Sequence, residues 1–374
     1  MHFTSPISSL ATCGVALCSR SRPYSSKVST PASYNSPDST GKRAVGFFGN
    51  WDIYARNFTF TDIPAQKLTH ISYAFANINS TTGEVFLSDT WADIEKPYPN
   101  DKQNRSLKTL LSSTIIDDEE CRTTFAKSAV KLMYDLGFDG LDYDYEYQNS
   151  STQATSFVGL LKKTRAEMDT YTNSSAPFLL TADGIAEYLD FWNFMGFDYS
   201  GSWNTTEGYF AGHAQNLYAS IDSLATPFNT STAIDYYISN GVSASKINLG
   251  NPLYAHAFLN TDGPGSPFIG SGNGSFEDTG GVWNYNQLPL AGSNATVIEI
   301  EELGASYSYD SASKTMMSYD TPAIASQKAQ CVIDQGLGGA MWWEISMDKT
   351  GDESLVGATV ETFGQLETSQ NRLD

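Results

Sequence analysis

"LGFDGLDYDYEY" spans Leu136–Tyr147 and sets Asp142, Asp144 and Glu146 on alternate positions, with Tyr143 and Tyr145 in the gaps. In an extended strand, side chains two apart share a face. The three carboxylates therefore point one way and the tyrosines the other. On a solvated antiparallel strand such a row would be a wet face. The flanking sequence argues otherwise. A helical repeat precedes the stretch, with Phe125, Ala129, Leu132, Met133 and Leu136 on one face. Another follows it, with Phe157, Leu160, Leu161, Thr164 and Met168 on one face. A strand between two helices belongs to a parallel sheet, and such sheets are buried on both sides. Carboxylates in that setting are costly, because burial and like charge both favour the protonated form. A column of them rising toward a strand's C-terminal end points to proton handling. Glu146, the topmost, is placed as a general acid, with Asp144 below it and Asp142 supporting from beneath.

The same alternation runs through the chain. Strands are expected at 44–51, 68–78, 107–113, 138–147, 178–183, 188–199, 246–255 and 337–346, with helices at 119–136, 152–171 and 321–336. Thr321 and Pro322 open the last of these helices, and Gly336 lies past its end. Eight strands with helical crossovers fit an α/β (β/α)8 TIM barrel. The connection between the last two strands is too long for one βα unit and is rich in Gly and Pro, so a small α+β insertion is expected there. The expected partition is a leader outside the fold at 1–43, a barrel at 44–255 and 317–368, and an insertion at 256–316.

Composition narrows the partners. The chain has 374 residues and a formal charge of -20. That argues against nucleic acid and anionic membranes, both of which call for basic patches. No apolar run reaches the roughly 18 residues that span a bilayer. Four cysteines show no zinc-ligand spacing, and no metal or cofactor is expected. Sequons at Asn57, Asn79, Asn104, Asn149, Asn173, Asn204, Asn229, Asn273 and Asn294 favour an extracellular protein, although "SPISSLATCGVALCS" makes a weak signal peptide.

"DGLDYDYE" resembles the DGxDxDxE signature of family 18 glycoside hydrolases, the chitinase family, closest to its fungal members. Further pieces match in order: "GFFGNWDIYARNF", "ISYAFANI", "LDFWNFMGFDYSGSW", "LGNPLYAHAF" and "GGAMWWE". The resemblance covers residues 44–368. It implies that Glu146 protonates the glycosidic oxygen and that the substrate's own N-acetyl oxygen attacks C1. This is the substrate-assisted exception to the two-carboxylate rule. It also implies that Asp144 orients the N-acetyl group and shares a proton with Asp142. Asp198 would lie near the same group, and Trp343 would be the platform under the distorted sugar. Phe47, Phe75, Met195, Tyr147, Tyr254 and His256 would bind substrate. Taken alone, Trp343, Phe75 and Met195 read equally as barrel core. The implied partner is chitin or N-acetylglucosamine oligomers, and a monomer is expected.

Several positions depart from the family pattern. Phe197 stands where a Tyr is usual, His256 where the Arg of Y-G-R is usual, and Tyr145 where a Trp is usual. "SSTIIDDEE" replaces S-x-G-G-W, the fifth crossover "GIAE" is very short, and residues 99–102 look shortened. Either activity is reduced or the sequence lacks pieces near 99–190. Two alternatives to a chitinase follow: a non-catalytic chitin-binding lectin, and an enzyme that cleaves the chitobiose core of N-glycans.

Overall fold

The computed structural model describes residues 12–18, 41–97, 109–112, 117–145, 150–171, 177–182, 188–203, 210–276 and 280–368. The chain divides into two compact units, one of residues 1–193 and 367–374, the other of residues 194–366.

In the first unit the strands are β1 (Thr12–Cys18), β2 (Arg43–Gly49), β3 (His70–Ala74), β4 (Ala76–Ile78), β5 (Val85–Leu87), β6 (Thr109–Ser112), β7 (Gly140–Tyr143), β8 (Leu179–Ala182) and β9 (Phe191–Phe194), the last ending at the unit boundary. β2 and β3 pair in parallel, and so do β7 with β8 and β8 with β9. Two helices return between strands: α1 (Glu119–Asp135) and α2 (Ser151–Tyr171). Asp118 caps α1 by accepting a hydrogen bond from the Cys121 amide. The expected helical faces are the buried ones. Phe125, Ala129 and Met133 of α1 and Phe157, Leu160, Leu161 and Met168 of α2 pack with Leu141, Tyr143 and Tyr145 in one apolar cluster. Tyr143 thus faces the helices, and its hydroxyl lies 2.6 Å from Thr164 Oγ1.

Two elements differ from expectation. Residues 12–18 were expected outside the fold, yet they form β1, which pairs antiparallel with both β3 and β7. The stretch 107–113 was expected as the third parallel strand of the barrel. Its strand, β6, pairs only with β1 among the described residues. The place beside β3 and β7 is therefore taken by a strand of opposite direction. Several other strands are shorter than expected. The interval 138–147, for example, contributes Gly140–Tyr143.

The short fifth crossover, residues 184–187, lies outside the described residues. Thr181 pairs with Phe191 and Ala182 with Trp192 in parallel. Arg165 of α2 ties the approach to β8 to the approach to β9. Its guanidinium donates to the carbonyls of Phe178 and Tyr188 and to Asp190 Oδ2, at 2.7, 3.0 and 2.7 Å. Asp190 Oδ2 also accepts from the Leu180 amide.

In the second unit α3 (Thr230–Ser239) precedes β10 (Ile247–Pro252). β10 pairs in parallel with β16 (Gly339–Trp343). Between them lie β11 (Tyr254–Phe258), β12 (Val282–Asn284), β13 (Thr296–Ile300), β14 (Ala305–Asp310) and β15 (Thr315–Ser318). These five make an antiparallel sheet in the order β12, β11, β15, β14, β13. α4 (Pro322–Asp334) starts from a Thr321 cap with Pro322 in its first turn, and α5 (Leu355–Phe363) follows β16. Gly250 on β10 is required. A Cβ there would sit 2.5 Å from the Phe194 carbonyl oxygen and 2.9 Å from the Phe197 ring.

This unit buries an ion pair. Lys328 Nζ donates to Asp320 Oδ2 at 2.6 Å and to Gln215 Oε1 at 2.7 Å. Nearby, the buried His213 ring has no hydrogen-bond partner on either nitrogen among the described residues. Burial, and secondarily the charge of Lys328, push its pKa down to about 4.

Candidate active site

β7 carries Asp142 in mid-strand, where only 3% of the residue is exposed. Oδ1 accepts a hydrogen bond from Thr181 Oγ1 of β8 at 2.6 Å, and Oδ2 accepts from Asn193 Nδ2 of β9 at 3.3 Å. Ser72 of β3 also donates to this carboxyl. Thr181 is the lateral neighbour of Asp142 in the sheet, so both share one face. Burial pushes the Asp142 pKa up to about 6, and the three donors, Thr181, Asn193 and Ser72, oppose that rise. Asp142 is thus a carboxyl that holds a proton in mildly acidic solution. At Asp142 this face of the strand is an interior one.

Asp144 follows β7 and is half-buried, while Tyr145 beyond it is buried with its ring 5.4 Å from Phe157. The alternation of the row therefore continues past the strand. Glu146 and Tyr147 lie outside the described residues. Phe47 of β2 is buried and paired laterally with Ser72, on the Asp142 side of the sheet. Phe75, just past β3, is half-buried with its ring 5.6 Å from that of Trp51.

The second unit gathers three of the expected residues into one cluster. Asp198 Oδ1 accepts from the Tyr254 hydroxyl at 2.8 Å and lies 2.7 Å from His256 Nε2. Tyr254 and His256 are two apart on β11 and so share a face. Asp198 sits in a loop past β9 with a left-handed φ of 58°, a backbone that Asp tolerates better than most residues. Met195 is half-buried beyond β9. Trp343 ends β16 opposite Pro252 and is half-buried, whereas its neighbour Trp342 is fully buried. The Trp342 side of β16 is core, and the Trp343 side is partly open.

Ser72, Thr181 and Asn193 were not among the residues expected at the site. The signal was available. Each is a polar residue inside an otherwise apolar strand segment, "ISYAF", "FLLTA" and "FWNF". A polar group buried in a strand calls for a partner. Among the described residues no cluster of His, Cys, Asp or Glu could hold a metal ion. No helix among them is long and apolar enough to cross a membrane.

Residues 43–348 match the family described as glycosyl hydrolases family 18. The chain is 39% identical to Endochitinase 1 of Metarhizium robertsii, over 93% of this chain and 92% of that protein. It is 38% identical to Chitinase 1 of Aphanocladium album, over 89% of each. Among solved structures, the catalytic domain of the psychrophilic chitinase B from Arthrobacter TAD20 superposes with a TM-score of 0.74 at 25% identity, covering 87% of this chain and 96% of that one. A family 18 chitinase from Cycas revoluta, solved with allosamidin, gives 0.71 at 25% identity, over 86% of this chain and 100% of that one. The chain belongs to glycoside hydrolase family 18 and has that family's (β/α)8 fold.

Proposed function

We propose that this family 18 enzyme hydrolyses the β-1,4 bonds between N-acetylglucosamine units of chitin, with retention at C1. The observation that carries the reading is the carboxylate column of "DGLDYDYE" together with its base, Asp142, buried and biased toward its protonated form. Glu146 donates a proton to the glycosidic oxygen. The N-acetyl carbonyl oxygen attacks C1, and the electrons of the C1–O bond leave with the departing sugar. Asp144 steadies the N–H of the resulting oxazolinium ion, and Asp142 supplies or accepts the proton the pair shares. Water then attacks C1 and gives its proton to Glu146. Asp198 and Tyr254 hold the N-acetyl group, and Trp343 lies under the sugar ring. Tyr147, Phe47, Phe75, Met195 and His256 contribute binding surface. Residues 44–255 and 317–368 form the catalytic barrel, 256–316 form an insertion, and the protein acts outside the cell as a monomer.

Hydrolysis of N-acetylglucosamine oligomers tests this, with Glu146→Gln as the control. General acid catalysis supplies roughly 10²–10⁴ in rate, and the variant should lose at least that much. Equal rates in the two proteins would overturn the reading, and a glycoprotein substrate cleaved in place of the oligomers would redirect it.

A further inference from the structure

Residues 211–217 are buried yet belong to no helix or strand. A buried irregular segment must find partners for its backbone polar groups outside regular structure. Here the His213 amide donates to the Ala225 carbonyl at 2.9 Å, and the Ala214 amide donates to Ser318 Oγ at 2.8 Å. The Gln215 carbonyl accepts from Lys328 Nζ at 3.1 Å. Lys328 is itself buried. Its other two bonds go to Gln215 Oε1 at 2.7 Å and Asp320 Oδ2 at 2.6 Å. An ammonium has three donors and no acceptor. All three are thus committed, two of them to one residue.

Gln215 passes that hold on in two directions. With Oε1 fixed on the ammonium, the other end of its amide, Nε2, donates to the Gly250 carbonyl of β10 at 2.6 Å. β10 leads through Pro252 into β11, which carries Tyr254 and His256, the two partners of Asp198. Along the backbone, the adjoining Ala214 carbonyl accepts from the Tyr199 amide at 3.0 Å. Tyr199 follows Asp198 in the chain, and Asp198 holds its left-handed φ of 58°. The loop that bears the carboxylate and the strand that leads to its partners are therefore both tied to residues 214–215.

The charge has a purpose that stability alone does not explain. Apolar residues of similar volume often stabilise a core as well as a buried ion pair does. A methionine at position 328 would fill the space but leave the Gln215 amide free to turn over. The ammonium only donates and the Gly250 carbonyl only accepts, so the amide between them has one orientation.

We propose that Lys328 is a positioning residue for ligand binding, acting through Gln215 to set Asp198 against Tyr254 and His256. The ligand is an N-acetylated sugar, so the proposal rests on the function proposed above.

A mutant cycle at one pH tests it. Lys328→Met combined with Asp320→Leu removes both charges together, so neither is left buried alone. Gln215→Met keeps the ion pair and cuts the link to Gly250. Each change is made with and without Asp198→Ala. Affinity for N-acetylglucosamine oligomers is measured in a Glu146→Gln parent, which needs no turnover. The paired charge variant should keep the parent's urea midpoint. Both it and Gln215→Met should bind oligomers about 10–100-fold more weakly, the cost of a misplaced binding group. In either background Asp198→Ala should then cost at most about twofold more, because the effects share one route. The full cost of Asp198→Ala in both backgrounds would overturn the inference, since a purely structural Lys328 leaves the effects additive. A lowered urea midpoint with unchanged affinity, or failure of both variants to fold, would overturn it too. No oligomer binding by the parent, or no effect of Asp198→Ala there, would sink the proposed function first and the inference with it.

Discussion

Each unit holds one carboxyl that its neighbours control, and the two are controlled in opposite ways. Asp142 is sealed in the first unit, with donors on both oxygens. Asp198 in the second unit is partly open and has its donors on one oxygen. Burial makes the Asp142 carboxyl a proton store. Exposure leaves Asp198 with an oxygen open to solvent. The same functional group thus takes two tasks, and water access decides which.

The hardest test of this contrast is to remove the sealed carboxyl. Asp142→Leu removes the shared acceptor of Thr181 Oγ1, Asn193 Nδ2 and the Ser72 hydroxyl from a buried space. Each unsatisfied group costs about 1–3 kcal/mol, so a loss of about 3–5 kcal/mol in unfolding free energy is expected. Asp142→Asn retains shape and most hydrogen bonds, and should cost about 1 kcal/mol while lowering turnover. Urea unfolding followed by Trp fluorescence measures both. Equal, small losses would mean that Asp142 is not the packed hub described here.

Next in size is pH. The folded Asp142 pKa of about 6 lies above the ordinary aspartate value of 3.8. Below pH 3.8 the group is protonated whether folded or not, and nothing is lost. As pH rises from about 4 to 6 the unfolded chain ionises first, and up to about 3 kcal/mol of stability is lost. His213 has the opposite sign. Its folded pKa of about 4 lies below the usual 6.5, so stability is lost as pH falls through that window, because the unfolded chain takes up the proton first. In wild type the two contributions largely cancel between pH 4 and 6, and each single variant unmasks the slope of the other group. Asp142→Asn should leave the His213 slope alone, and His213→Gln should leave the Asp142 slope alone. Denaturation midpoints across that range in the three proteins would expose an error in either assignment.

The sequence carried the local features well. The α1 and α2 faces were read from apolar spacing, and Thr321, Pro322 and Gly336 bracketed α4. The burial of Asp142 was legible because period two and the flanking helices point the same way. What escaped is non-local. Ser72, Thr181 and Asn193 come from three different strands, and nothing near "DGLDYDYE" announces them. The Asp198–His256 pair likewise joins residues 58 apart in sequence. The strand at Thr12–Cys18 escaped because its short apolar run, "CGVALC", reads equally as part of a weak signal peptide within a Ser-rich segment.

Phe197 offers a smaller and catalytic test. Its half-buried ring lies edge-on to Tyr254 at 6.4 Å, beside the Asp198 cluster. Adding the missing hydroxyl gives the open carboxylate's surroundings one more donor toward developing charge. A hydrogen bond to a charged group contributes about 1.5–3 kcal/mol, or one to two decades of rate. Phe197→Tyr should raise kcat on N-acetylglucosamine oligomers within that range and change stability little. An unchanged kcat would mean that the hydroxyl is not what limits this enzyme.

The smallest effects come from cutting one matched bond in each setting. Thr181→Val removes a 2.6 Å hydrogen bond to Asp142, and Tyr254→Phe removes a 2.8 Å hydrogen bond to Asp198. The chemistry is alike, a hydroxyl donating to a carboxylate, so the difference between the variants reports the environment. Water cannot replace Thr181, and the loss should be about 1.5–2 kcal/mol, with the Asp142 pKa rising further. Water can reach Asp198, and Tyr254→Phe should cost under about 1 kcal/mol of stability while raising KM. Paired urea titrations at pH 7 give the two numbers. If Tyr254→Phe proves the costlier, the open carboxylate is the structural one, and the division of labour between Asp142 and Asp198 is reversed.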